Sequence, residues 1–168
     1  MRNGRIKRIA LCGVLAALAI VFGYIEHLVP LPVGVYGIKL GIANVCILVA
    51  LYAADTKTAL TVNILRIAVC GLLFGSLISF AYSLAGGVCS FLIMWILKKT
   101  DKFSIIGVSV CGAIAHNLAQ ICVAIFLFNE LKIAFYFPVL LICGTVTGIL
   151  IGTVSLATVK LLPKKNKS

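Results

Sequence analysis

The sequence predicts an all-α integral membrane protein with six transmembrane helices and both ends in the cytoplasm. Three observations predict it. Of the 168 residues, 62% are hydrophobic and 11% charged, whereas a soluble domain is about 45–50% apolar and about 25% charged. Six apolar segments approach the roughly 20 residues that a helix needs to cross hydrocarbon. Twelve of the fifteen Lys and Arg fall on one side of the resulting layout. So apolar a chain cannot cover a water-facing globule, and it is too hydrophobic to stay disordered. The spans take up nearly everything, leaving one domain over 1–168 with short basic tails at about 1–8 and 163–168.

The spans fall at about 9–27, 39–54, 57–75, 78–97, 104–128 and 135–162. The first runs past Ala17-Leu18-Ala19 to Ile25, too far for the apolar region of a signal peptide. The second is short. From Leu60 to Leu97 the single charge is Arg66, and one helix of that length would rise about 57 Å, far beyond a bilayer. The stretch must turn, and Gly71, Gly75 and Ser76 mark the place. The last segment has room for an interfacial turn before Pro138.

The charges orient the bundle. Arg2, Arg5, Lys7, Arg8, Lys57, Lys98, Lys99, Lys102, Lys160, Lys164, Lys165 and Lys167 share one side, opposite Lys39 and Lys132. Cytoplasmic loops carry the excess of Lys and Arg, so both ends are inside and the number of crossings is even. Tyr24, Tyr36, Tyr82 and Tyr136 are expected near the outer boundary, Tyr52 and Trp95 near the inner one.

The net charge of +11 does not point to nucleic acid, because the basic residues cluster at span ends and form no aromatic-interleaved face. Seven cysteines form no CxxC pair and sit inside apolar runs, which fits small packing residues and neither a metal ribbon nor a disulfide framework. No metal or other cofactor is expected. No GxxxxGK[ST] loop occurs, so ATP would have to be used by a partner.

Polar residues inside spans are expensive, and each asks for a partner or a task. Asn63 and Arg66 share a face of the third span, with no carboxylate expected within any span to pair with the guanidinium. His116, Asn117 and Gln120 make a polar stripe on the fifth. Lys39 and Asn44 follow a Pro- and Gly-rich outer loop that could fold over a cavity as a lid. These seven are the candidate ligand-binding residues: helix glue or interfacial anchoring on one reading, a small-solute site on the other. Gly13, Ala17, Ala19 and Gly23 give the first span small faces that suit close approach of a partner helix. Gly144, Gly148 and Gly152 form a similar ladder on the last.

Three stretches resemble a known family: Ile38-Lys39-Leu40-Gly41-Ile42-Ala43-Asn44; Leu73-Phe74-Gly75-Ser76 through Ser83-Leu84-Ala85-Gly86-Gly87; and Gly107-Val108-Ser109-Val110 through Ala115-His116-Asn117-Leu118-Ala119-Gln120. The family is a bacterial membrane one, described both as heptaprenyl diphosphate synthase component I and as the Gx transporter family. The wider pattern is similar to the S components of energy-coupling-factor transporters. That likeness implies a cell-membrane solute-uptake component, binding a small anionic or amide-recognising solute. Its small-residue first helix would dock on a transmembrane coupling subunit served by ATPases. The synthase description implies instead a membrane accessory to a separate polyprenyl synthase subunit. Polyprenyl diphosphate synthesis uses magnesium held by aspartate-rich clusters, and magnesium needs such oxygen ligands. With Asp55 and Asp101 its only aspartates, this chain is not expected to be the catalyst.

Overall fold

The computed structural model describes residues 2–28, 41–74 and 76–162. The expected outer loop and Lys39 lie outside the described residues, as do the C-terminal tail and Tyr36. Helix α1 spans Arg2–Leu28 and α2 spans Asn44–Val49, continued by a π-helical turn over Ala50–Ala54. Asp55 then breaks the helix in an extended conformation and accepts the Thr58 N–H at 2.8 Å, which starts α3, Thr56–Phe74. Ser76 caps α4, Leu77–Lys99, and Ser104 caps α5, Ile105–Phe128. Each serine accepts the N–H three residues on, the usual way to satisfy a helix start. A 3₁₀ turn over Leu131–Tyr136 leads into α6, Phe137–Leu161, with Pro138 in the first turn where its missing N–H costs nothing.

The predicted turn within 60–97 therefore falls at Ser76, and the interfacial turn precedes Pro138 as expected. Gly71 has a different task from the one expected: a Cβ there would lie 2.2 Å from the Phe80 ring, so it lets α4 close onto α3.

Among the described residues, five helices are long and apolar enough to cross a membrane. Their outward faces confirm the setting. Leu72, Leu77, Phe126, Phe135 and Leu161 are each more than 80% exposed, which would cost about 1.5–3 kcal/mol apiece in water and nothing in lipid. The second expected span is different. Its described part has six residues of α-helix and five of π-helix, a rise of about 16 Å against a hydrocarbon core of about 30 Å. Ile47, Leu48, Val49, Ala50 and Leu51 are buried on every side. α2 is the centre of the molecule, packed among α1, α3, α4 and α6.

Around it, α1 packs on α3, and α5 packs extensively on both α4 and α6. The glycine ladder of α6 explains the second contact. Cβ atoms at Gly148 and Gly152 would lie 2.7 Å from the Cα atoms of Val110 and Ile106, so only glycine permits this backbone approach. Tyr82, in the second turn of α4, is fully buried among the helices.

Candidate functional site

Six of the seven candidate ligand residues are described, and all six are buried: Asn44, Asn63, Arg66, His116, Asn117 and Gln120. They form a polar layer organised by two consecutive glycines of α4. Neighbours on a helix point about 100° apart, so Gly86 and Gly87 face different helices. A Cβ at Gly87 would stand 2.7 Å from Arg66 Nη2 and 3.2 Å from Asn63 Oδ1, both on α3. A Cβ at Gly86 would stand 2.7 Å from the His116 ring on α5. Two large polar groups thus press against one helix backbone from two sides.

On the α3 side, Arg66 Nη2 donates to Asn63 Oδ1 at 3.1 Å, and Asn63 Nδ2 donates to the Gly87 carbonyl at 3.0 Å. The expectation that no carboxylate within a span serves Arg66 needs correction. Glu26 belongs to α1 and shares a small cavity with Arg66, Gly23, Cys70 and Ser83. Glu26 also accepts the Ile42 N–H at 2.8 Å, holding the entry to α2. α1 carries helical structure to Leu28, which brings this carboxylate beside the guanidinium.

On the α5 side, His116 and Gln120 meet at 3.1 Å between their Nε2 atoms. Asn117 Nδ2 donates to the Leu140 carbonyl at 2.8 Å, joining α5 to α6. Asn44 Nδ2 donates to Ser90 Oγ at 3.4 Å. Gly41 completes the His116 slot, for its φ of +78° suits glycine and a Cβ there would come within 3.3 Å of the ring. Sequence reasoning did not assign these tasks to Gly41, Gly86 and Gly87; a glycine pair in mid-helix was the available signal.

The layer is well packed. The cavity beside Arg66 holds about 10 Å³, room for about one water. Several buried polar atoms nevertheless have no hydrogen-bond partner among the described residues, including Asn44 Oδ1, Arg66 Nε, Tyr82 Oη and Asn117 Oδ1. A solute-sized cavity of about 520 Å³ lies elsewhere, as an apolar groove between α3 and α4 with Asn63 in its wall. Among the described residues, no group of three or more His, Cys, Asp or Glu could hold a metal.

The four candidate docking residues divide. Gly13 has open space around it and Ala17 is exposed. Ala19 is fully buried, and a Cβ on Gly23 would lie 2.7 Å from Cys70 Sγ of α3. The Ala19 and Gly23 face is internal packing, leaving Gly13 and Ala17 outward.

Fold and layer define a multi-pass all-α membrane protein with a buried polar interior. Its residues 15–158 match the family model described as heptaprenyl diphosphate synthase component I, and the chain belongs to that family. No curated protein and no solved structure matches it. The family match supports the synthase description; it does not bear on the likeness to energy-coupling-factor S components.

Proposed function

We propose that this chain is the membrane-embedded, non-catalytic component of a polyprenyl diphosphate synthase, working beside a separate catalytic subunit in the cell membrane. The observation that carries this reading is the family match across residues 15–158, in a chain whose two aspartates stand apart in sequence. Asp55 is already engaged, by Arg8 and the Thr58 N–H. Six crossings with both ends inside would put Arg8, Lys57 and Lys99 on the cytoplasmic side. A soluble synthase, and its anionic substrates, would meet the membrane there.

Co-purification tests it. The tagged full chain should retain an aspartate-rich prenyl synthase from membranes of its own cells, and the pair should make longer prenyl products than the catalytic subunit alone. Ala17→Trp, on the outward small-residue face of α1, should weaken that association while leaving the chain folded. A chain that retains no synthase, and changes no product, overturns the reading.

A second reading, binding of a small polar solute within the layer, is favoured by the unpartnered Asn44 Oδ1, Arg66 Nε and Asn117 Oδ1, since buried polar groups are normally paired. In a transport role the energy would come from a coupling subunit with ATPases. Native mass spectrometry of purified protein should then show a retained solute, and Arg66→Gln should abolish its thermal stabilisation. A ligand response unchanged in Arg66→Gln would remove Arg66 from the site.

A further inference from the structure

The central helix α2 is apolar on all sides, so hydrophobicity does not fix how it is turned. From Val45 to Leu51 every side chain is apolar, and from Cys46 onward each is buried. A helix with one apolar face loses burial when it rotates. Here a rotation by one residue only exchanges one apolar side chain for the next. Polar contacts must set the rotation, and two act on α2 and its π-helical turn. Asn44 Nδ2 donates to Ser90 Oγ of α4 at 3.4 Å, near one end. Lys98 Nζ, also of α4, donates to the Leu51 carbonyl near the other.

The second contact coincides with the irregular part of the helix. Ala50–Ala54 is π-helical, and such turns are rare and occur mostly as single-turn bulges in α-helices. An α turn would give the Leu51 carbonyl to the Asp55 N–H, four residues on. A π turn reaches five residues on, which leaves that carbonyl without its α-helical donor. Lys98 supplies a donor instead, with its ammonium 5.1 Å from the centre of the Tyr52 ring. The lysine contact is one that only the π turn needs.

Two further features suit a second register. Backbone breaks bracket the helix, with Gly41 at φ +78° and Asp55 extended at φ −162° and ψ 171°. A turn of α2 therefore need not carry its flanking segments with it. Asn44 Oδ1 has no hydrogen-bond partner among the described residues, so this register leaves a buried acceptor unsatisfied, which is unfavourable.

We propose that α2 has two registers, and that Lys98 holds the one seen here. Closing the π turn into an α turn would return the Leu51 carbonyl to the Asp55 N–H. It would also turn the upstream part of α2 by about 100° and move it about 1.5 Å along its axis. Val45 would then take the place of Asn44 opposite Ser90, and Asn44 would leave that contact. Packed interiors favour discrete steps of this kind over gradual deformation. The step links the basic end of the bundle, where Lys98 sits, to the polar layer that Asn44 helps to form. It is independent of both functional readings, since neither gives a role to Lys98 or to the π turn.

Disulfide trapping reads the register. In a full chain with its own cysteines replaced by alanine, Asn44→Cys with Ser90→Cys should cross-link readily, and Val45→Cys with Ser90→Cys poorly. Adding Lys98→Met should move the ratio of the two yields about tenfold toward the second pair, as for loss of one charge-assisted hydrogen bond. Deleting Ala53 would shorten the π turn to an α turn without moving Asn44. That chain should keep the first cross-link even with Lys98→Met. An unchanged ratio in Lys98→Met overturns the proposal, as does loss of both cross-links together or a deletion chain that still responds to Lys98→Met. Should the cysteine-free chain not fold, a crystal structure of Lys98→Met with its native cysteines reads the same register. A π turn intact in that structure overturns the proposal equally.

Discussion

The α5–α6 and α3–α4 seams both join antiparallel neighbours across apolar surface, yet one is closed along its length and the other gapes. At α5–α6 a glycine recurs every fourth residue, at Gly144, Gly148 and Gly152, and each meets α5 closely. At α3–α4 the close approaches occur at Gly71 and Gly87, and beside them lies a groove lined by large side chains such as Leu60, Leu84 and Trp95. In lipid there is little hydrophobic force to pull helices together, so contact depends on van der Waals fit. A seam with a regular small-residue ladder becomes scaffold. A seam with two such points becomes a groove.

The largest expected effect tests that contrast directly. Gly148→Leu places a side chain against the Val110 backbone, where a Cβ already comes to 2.7 Å of the Cα and 3.2 Å of the amide nitrogen. Backbone cannot swing aside as a side-chain tip can, so overpacking should cost about 3 kcal/mol. Val88→Phe, in the open seam, should change stability by less than about 1 kcal/mol, because its ring enters existing space. Denaturant unfolding of the two variants in detergent checks both. Equal losses would show that the groove is as tightly packed as the ladder.

The legible parts of this molecule were those decided locally. Hydropathy located the five long helices, and a charge-poor stretch too long for one crossing required the break that Ser76 caps. Pro138 marked a helix start because proline suits only the first turn. What depended on neighbours was not legible. The segment around Ile47 and Leu51 is as apolar as any span, but its being surrounded by other helices is a property of those helices. Gly13, Ala17, Ala19 and Gly23 look alike in sequence, yet two face outward and two meet the interior, because either face of a helix can carry small residues. Six polar candidates were found because burial makes such residues conspicuous in an apolar chain. That they would pack against glycines rather than line an open cavity depended on how α4 meets α3 and α5. Glu26, which the sequence places at the outer end of the first span, lies beside Arg66 because α1 stays helical to Leu28 and packs on α3, a contact that hydropathy does not register.

The smallest expected effect sharpens the same contrast through pH. The start of α3, beside the groove, is tied to α1 by Arg8, which pairs with Asp55 and donates from Nε to Thr58 Oγ1 at 3.4 Å. Partial burial pushes the Asp55 carboxyl up, but the Thr58 N–H and the Arg8 guanidinium outweigh it and hold the group below the usual carboxylate value. A depressed folded pKa means that the unfolded chain takes up a proton first as pH falls. The stabilisation is therefore present above about pH 3.9, the ordinary aspartate value, and is lost as pH drops through the lower folded one. Arg8 is 48% exposed, so solvent screening keeps the contribution small, within about 1 kcal/mol. The α5–α6 ladder contacts involve no carboxylate, so acid should not loosen them directly. Wild type and Asp55→Asn should thus differ in thermal stability at neutral pH and converge in acid, while the destabilisation caused by Gly148→Leu stays the same across the range. A difference between wild type and Asp55→Asn that persists below the folded pKa would mean that Asp55 acts through its shape and hydrogen bonds. The tie beside the groove would then be packing, of the same kind as the ladder.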